Sequence, residues 1–233
     1  MQKKTYKSNV LLTILVLIVV SVLLSLGCWQ VQRLHEKRET LKIIDQRMSQ
    51  NMLIFPDDIS SVENFDYSNG AVRGRFDYNH EFYVQPRRFM GDNGVHVITP
   101  FLRLNGNWIL VNRGFSKKDD LPYLRRSDKS VIILNGILHK PDERNRFTPQ
   151  NTVGDPYIYA TDIKFIEQET GLAFSTPLVL YATDGKDSPP YGGQLRLDIP
   201  NNHLEYAFFW FTMAGMLLCF YAFFIMKTRK EKS

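Results

Sequence analysis

The chain has 233 residues, a formal net charge of +5 and two cysteines. Its basic excess clusters beside two apolar ends, with no basic stripe in the mixed-charge middle, so nucleic-acid binding is not expected. The central region has no cysteine, which excludes a disulfide framework or a thiolate metal site there.

Mean hydropathy is slightly negative, −0.24, so the signal lies in the segregation of the apolar residues to the two ends. Residues 10–26 carry no charge, and the apolar run reaches about Trp29 with Thr13, Ser21 and Ser25 as its polar interruptions. Roughly twenty residues in a helix cross a hydrocarbon layer about 30 Å thick. A second uncharged run covers residues 207–226, with Tyr206 and Trp210 near its start and Tyr221 near its end, where amphipathic rings favour the headgroup layer. The expected organisation is a cytoplasmic segment 1–9, a transmembrane helix 10–29, a periplasmic α+β domain 30–205, a second transmembrane helix 206–226 and a basic tail 227–233. A cleaved signal peptide is the competing reading of the first run, and a lipoprotein form is disfavoured by Ser25 three residues before Cys28.

Orientation follows from the second run. Lys227, Arg229, Lys230 and Lys232 lie after it, whereas Arg196 stands before it against Asp198 and Glu205. The positive-inside rule then puts the C-terminus in the cytoplasm, and two crossings put the N-terminus there too. The nine residues before the first run leave no room for a transit peptide, so a bacterial inner membrane is expected.

Beyond the first span, residues 36–48 continue a helical pattern through Leu34, Leu41, Ile44 and Met48. After Pro56 the pattern changes to short alternating runs. Strands are expected over 71–76, 81–85, 95–104, 107–112, 131–138, 174–181 and 194–199. Asn105-Gly106 predicts a type I′ hairpin turn. Thr161 or Asp162 caps a helix over 161–170 that Gly171 ends, and 184–193 reads as a loop. The fold class is a membrane protein with two transmembrane helices flanking an α+β, mainly antiparallel and barrel-like, domain outside the bilayer.

Hydrolase, Walker and dinucleotide motifs are absent, and no enzymatic activity is expected. The histidines at 35, 80, 96, 139 and 203 show no metal-ligand spacing. His96 reads as a solvent-facing strand residue, and His80 and His139 as surface positions. His203 opens the second span, where Asn201 or Asn202 can cap the helix, near Trp29 and Gln30 at the end of the first. A neutral imidazole there can ligate iron, with a porphyrin against both helices. An interfacial histidine bonded to lipid headgroups or to its own cap is the other reading.

Four segments in order carry a family pattern: 27–33 (GCWQVQR), 99–101 (TPF), 110–115 (LVNRGF) and 192–207 (GGQLRLDIPNNHLEYA). With them the chain resembles the Surfeit locus protein 1 family, over residues 11–226. The resemblance implies an assembly factor for haem-copper cytochrome c oxidase that holds haem a during its insertion into subunit I. It implies cytochrome c oxidase subunit I, a haem a synthase and the lipid bilayer as partners. It assigns His203 as the haem a iron ligand; Trp29 and Gln30, with Arg33 in the same motif, either flank the haem or pack the helix pair. A cofactor-free scaffold docking oxidase subunits is the alternative. The Asn112-Arg113-Gly114 motif reads as structural, with Gly114 at a backbone angle other residues resist and Arg113 paired to a carboxylate. Phe115 departs from the family, where Trp is commoner, as does the variable Cys28.

Overall fold

A computed structural model describes residues 2–49, 53–124, 130–141, 144–195 and 202–230. The chain divides into two units, residues 1–43 with 198–233, and residues 44–197.

The first unit is helical. The 48-residue helix α1 (Gln2–Ser49) runs on without a break through the polar stretch after the first apolar run, and the 28-residue α4 (His203–Lys230) carries the second. Both are long and apolar enough to cross a membrane. Their large side chains, among them Leu11, Leu15, Phe208, Phe220 and Phe223, face outward, as a lipid solvent requires. The two helices pair antiparallel: the Thr13 and Tyr221 hydroxyls bond to one another near one end, and Gln30 meets His203 near the other. Tyr221, expected at the headgroup layer, thus spends its hydroxyl on the partner helix. Val16, Val20, Ala207 and Ala214 are buried between the helices. At Gly27 a Cβ would lie 2.6 Å from the Phe211 ring, so the missing side chain is what admits that ring. Small residues of this kind let helices approach in a bilayer, where water supplies no hydrophobic drive.

The second unit is a closed β-barrel. Its strands are β1 (Leu53–Ile54), β2 (Ser68–Phe76), β3 (Phe82–Phe89), β4 (Asp92–Arg103), β5 (Trp108–Ser116), β6 (Ile132–His139), β7 (Tyr157–Ile158) and β8 (Phe174–Ala182), with short helices α2 (Val62–Phe65) and α3 (Ile163–Thr170). The order β2-β6-β8-β5-β4 closes on itself because β2 also pairs with β4, Gly74 to Phe76 lying against Arg103 to Phe101. Within this ring β5–β8 is parallel and the other pairings are antiparallel, so the ring is mixed. Inward residues alternate along the strands, as closure demands: Val72, Phe101, Ile109, Val111, Leu134, Leu138, Leu178 and Leu180 fill the interior with Phe55 and Ile59. The opposite face of β5 and β8, through Leu110 and Val179, packs under Phe82, Val84, Ile158 and Ile166. Two-sided burial is why Ile109-Leu110-Val111 and Leu178-Val179-Leu180 run apolar without alternation.

Most of the expected strands are present with shifted ends. The exception is 194–199: Gln194 and Leu195 lie outside any strand, and 196–199 fall outside the described residues. The helix at 161–170 forms as α3, with Asp162 accepting the Phe165 N–H at 3.2 Å and Gly171 ending it at φ 70°. The hairpin at Asn105-Gly106 is real, but Gly106 alone of the two has a positive φ, 86°. It therefore turns through a four-residue connection with one left-handed residue, not the expected type I′ form. The type I′ signature occurs instead between β3 and β4, where Met90 and Gly91 have φ 51° and 90° inside the Phe89–Asp92 pair.

The Asn112-Arg113-Gly114 motif is a β-bulge. Val97 pairs with Gly114 and Ile98 with Asn112, which makes Arg113 the extra residue of the bulged strand and re-aims it. Asn112 Oδ1 accepts the Gly114 N–H at 3.0 Å, and Gly114 sits at φ 117° with the Tyr191 carbonyl 2.0 Å from where a Cβ would be. Arg113 reaches Glu81 at 2.6 Å, and both side chains are buried. Thr99 donates to the same carboxylate at 3.2 Å, while the guanidinium lies 5.2 Å from the Phe76 and Tyr78 rings. Breaking a buried pair strands a charge, so Arg113→Met and Glu81→Leu should each destabilise the barrel by about 3–5 kcal/mol. The double variant should lose less than the sum, as measured by denaturant unfolding of the full chain in detergent with near-UV circular dichroism.

Candidate functional site

The site residues anticipated from the sequence fall on two faces of α1. Gln30 points inward and is buried. Its Oε1 lies 2.8 Å from His203 Nδ1, so the two positions meet directly across the helix pair. Trp29 is one residue away, a rotation of about 100° on a helix, and is 48% exposed. Arg33, one turn on, sits 5.9 Å from the Trp29 ring and forms a 2.8 Å ion pair with Glu36. The helices thus bring Gln30 and His203 together and leave Trp29 with Arg33 on the outer surface.

Local structure accounts for this arrangement. His203 is the first residue of α4, and the helix opens with the Asn202 carbonyl accepting the Tyr206 N–H at 3.2 Å; Asn201 lies outside the described residues. Gly27 stands one turn before Gln30 and admits Phe211. The imidazole is half-buried, with Ala207 buried one turn later. The polar pair is therefore enclosed on one side by small residues and bordered on the other by apolar surface. That setting offers one half-buried imidazole amid apolar surface, which suits a flat apolar cofactor.

Three of the other histidines have partners of their own, and His35 is exposed on α1. His80 Nδ1 pairs with Asp77 at 2.7 Å, and Asp77 also caps the turn at Tyr78–His80. His139 Nδ1 pairs with Asp66 at 2.7 Å, under the Tyr67 ring at 4.2 Å. It is a partly buried residue rather than the surface position expected, because Asp66 lies 73 positions away in sequence. His96, expected to face solvent, is half-buried with Nδ1 3.2 Å from Asn112 Nδ2. Among the described residues no group of three or more histidine, cysteine, aspartate or glutamate side chains is placed to hold a metal ion. Cys28 and Cys219 are free thiols.

One polar anchor had no motif to announce it. Arg103 donates to the carbonyls of Phe55, Pro56 and Asp57 at 2.6–2.9 Å, tying the segment after β1 to the end of β4. Burial lowers its pKa, and the Asp57 carboxylate opposes that shift. A cavity of about 730 Å³ lies between α3 and the start of β8. Among the described residues, the carboxylates that line it hold backbone amides, Asp162 that of Phe165 and Glu167 that of Phe174, and no histidine lines it.

Two helices long and apolar enough to cross a membrane, joined by a partly buried Gln30–His203 contact, together with a small closed barrel define the class of architecture. The chain belongs to the SURF1 family, whose model matches residues 17–215. That range contains Gly27, Trp29, Gln30, the Asn112-Arg113-Gly114 bulge and His203. A SURF1-like protein of Caenorhabditis briggsae is 32% identical over 216 residues, covering 81% of this chain and 67% of its own length. Surfeit locus protein 1 of Mus musculus is 29% identical over 219 residues, 85% and 71% respectively. That of Xenopus tropicalis is 30% identical over 230 residues, 90% and 74%. Members of the family are generally cytochrome oxidase assembly factors and are not enzymes.

The close fit at Gly27 gives a direct check on the helix pair. Gly27→Leu forces Phe211 out of its place and should destabilise the pairing by about 1–3 kcal/mol. Adding Phe211→Ala should restore much of it, read as the thermal midpoint of the detergent-solubilised chain.

Proposed function

We propose that this chain assists the assembly of haem-copper cytochrome c oxidase by holding haem a and aiding its insertion into subunit I. The observation that carries the reading is the 2.8 Å contact between Gln30 and His203, which presents a half-buried imidazole at one level of an otherwise apolar helix pair. An imidazole amid apolar surface, with no acid–base partner named for it, suits retention of a haem better than turnover. When bound, haem a supplies the iron and a broad apolar face. His203 would hold the iron, and the exposed indole of Trp29 would flank the macrocycle.

The working location proposed is a bacterial inner membrane. The last turn of α4 carries Lys227, Arg229 and Lys230, which supports a cytoplasmic C-terminus. With two crossings the N-terminus is also cytoplasmic and the barrel periplasmic. The partners proposed are oxidase subunit I, which receives the haem, and a haem a synthase, which delivers it.

The test is co-expression with the haem a biosynthetic enzymes, followed by purification and absorption spectra of the wild type and His203→Ala. The wild type should retain haem a, and the variant should lose at least about tenfold in occupancy. Equal occupancy in both would remove His203 as the ligand. Undiminished oxidase assembly by His203→Ala would favour a cofactor-free scaffold that docks oxidase subunits through the barrel.

A further inference from the structure

We propose that Gln30 is a positioning residue that fixes the tautomer of His203 and keeps its imidazole a moderate, releasable donor. The amide oxygen of Gln30 can only accept a hydrogen bond. At 2.8 Å from it, Nδ1 must therefore carry the imidazole proton, and Nε2 keeps its lone pair. Without a partner the proton of a neutral imidazole can sit on either nitrogen, so half of the chemistry of this residue is set by the neighbouring helix.

The kind of partner matters as much as its position. His80 and His139 give Nδ1 to the carboxylates of Asp77 and Asp66, each at 2.7 Å. A carboxylate draws the proton and raises the basicity of the opposite nitrogen, which strengthens a metal–histidine bond. His203 is given an uncharged amide instead. His96 shows the converse arrangement: the Asn112 amide nitrogen lies against its Nδ1 at 3.2 Å, so there Nδ1 accepts and the proton belongs on Nε2. The same fold thus sets both neutral tautomers with side-chain amides, according to which amide atom is presented. Gln30 is buried one turn from the packed Gly27–Phe211 contact, which leaves its amide little freedom to turn away.

The tautomer stands on geometry alone, while the releasable-donor half rests on the proposed binding of haem a by His203. A protein that passes on its cargo requires a ligand bond that captures and also lets go, and a neutral amide behind the imidazole meets both needs.

The experiment uses the full chain in detergent, haem-free, at pH 8, labelled with 15N-histidine. Long-range 15N–1H correlation spectra read the protonated nitrogen of each ring, with His203 assigned by its loss in His203→Ala. Wild type should show Nδ1–H at His203 and Nε2–H at His96. In Gln30→Met, which cannot accept, His203 should move toward the other tautomer while His96 is unchanged. In Gln30→Glu, which retains an acceptor, Nδ1–H should persist. Nε2–H at His203 in the wild type, or identical spectra for wild type and Gln30→Met, overturns the proposal. If Gln30→Met fails to fold, the wild-type and Gln30→Glu spectra still decide it. Haem a titration then follows: Gln30→Met should bind about tenfold more weakly than wild type, and Gln30→Glu should surrender haem more slowly to an apo-haemoprotein acceptor. Equal release rates for Gln30→Glu and wild type overturn the releasable-donor half. Expected tautomers with no haem binding in any variant would instead overturn the cofactor reading and leave the positioning of His203 intact.

Discussion

The barrel depends on one buried ion pair. Arg113 leaves the β4–β5 ladder at the bulge and meets Glu81 on the turn between β2 and β3. Those are the places where β4 changes neighbours, from β2 along its last residues to β3 along its first. Burying two charges costs several kcal/mol per ion. Here the cost is offset by a short contact, by the Thr99 hydroxyl and by the two rings around the guanidinium. The pair specifies geometry: Glu81 accepts from Thr99 on β4 and from Arg113 on β5 together, which couples the register of those two strands. The Asn112 and Gly114 bonds that shape the bulge are thus conditions for closing the ring.

The helix pair uses polarity differently. Its apolar surfaces face outward toward lipid and provide no preference for one depth or rotation over another. Two polar contacts near opposite ends, Thr13 with Tyr221 and Gln30 with His203, fix the register that apolar packing leaves open. Small residues at Gly27, Ala207 and Ala214 then allow close approach. The contact that locates one end of the pair is also the one that presents the imidazole, so register and site are the same property.

Elements governed by local chemistry were legible in the sequence. The two apolar runs, the α3 helix with its Asp162 cap and Gly171 stop, and most strands follow from hydropathy, period and capping preferences. Arg113 with a carboxylate partner and Gly114 at a positive φ were expected from the residue types, although which carboxylate was not. The misreadings share a cause: they are set by distant contacts. Met90 occupies a left-handed angle that Asn or Gly would ordinarily mark, because the strands on either side impose the turn. His139 and His96 looked exposed since Asp66 and Asn112 reach them through strand pairing. Arg103 gathers three carbonyls from a segment more than forty residues earlier, and no local pattern marks such a role. At the site, His203 and Gln30 stood out by their places at the ends of the spans, but only the folded helix pair shows them bonded.

Gln30 and His203 are 173 positions apart, with the whole barrel between them in sequence. At ribosomal rates of 5–20 residues per second, roughly 10–35 s separate the synthesis of one from the other. Throughout that interval the growing chain carries an amide on its first span with no imidazole to hold. Any truncation or stalled translation before residue 203 leaves a first span whose amide has no imidazole to meet. The pair forms in a single step near the end of synthesis, so its presence also certifies that the barrel has been made.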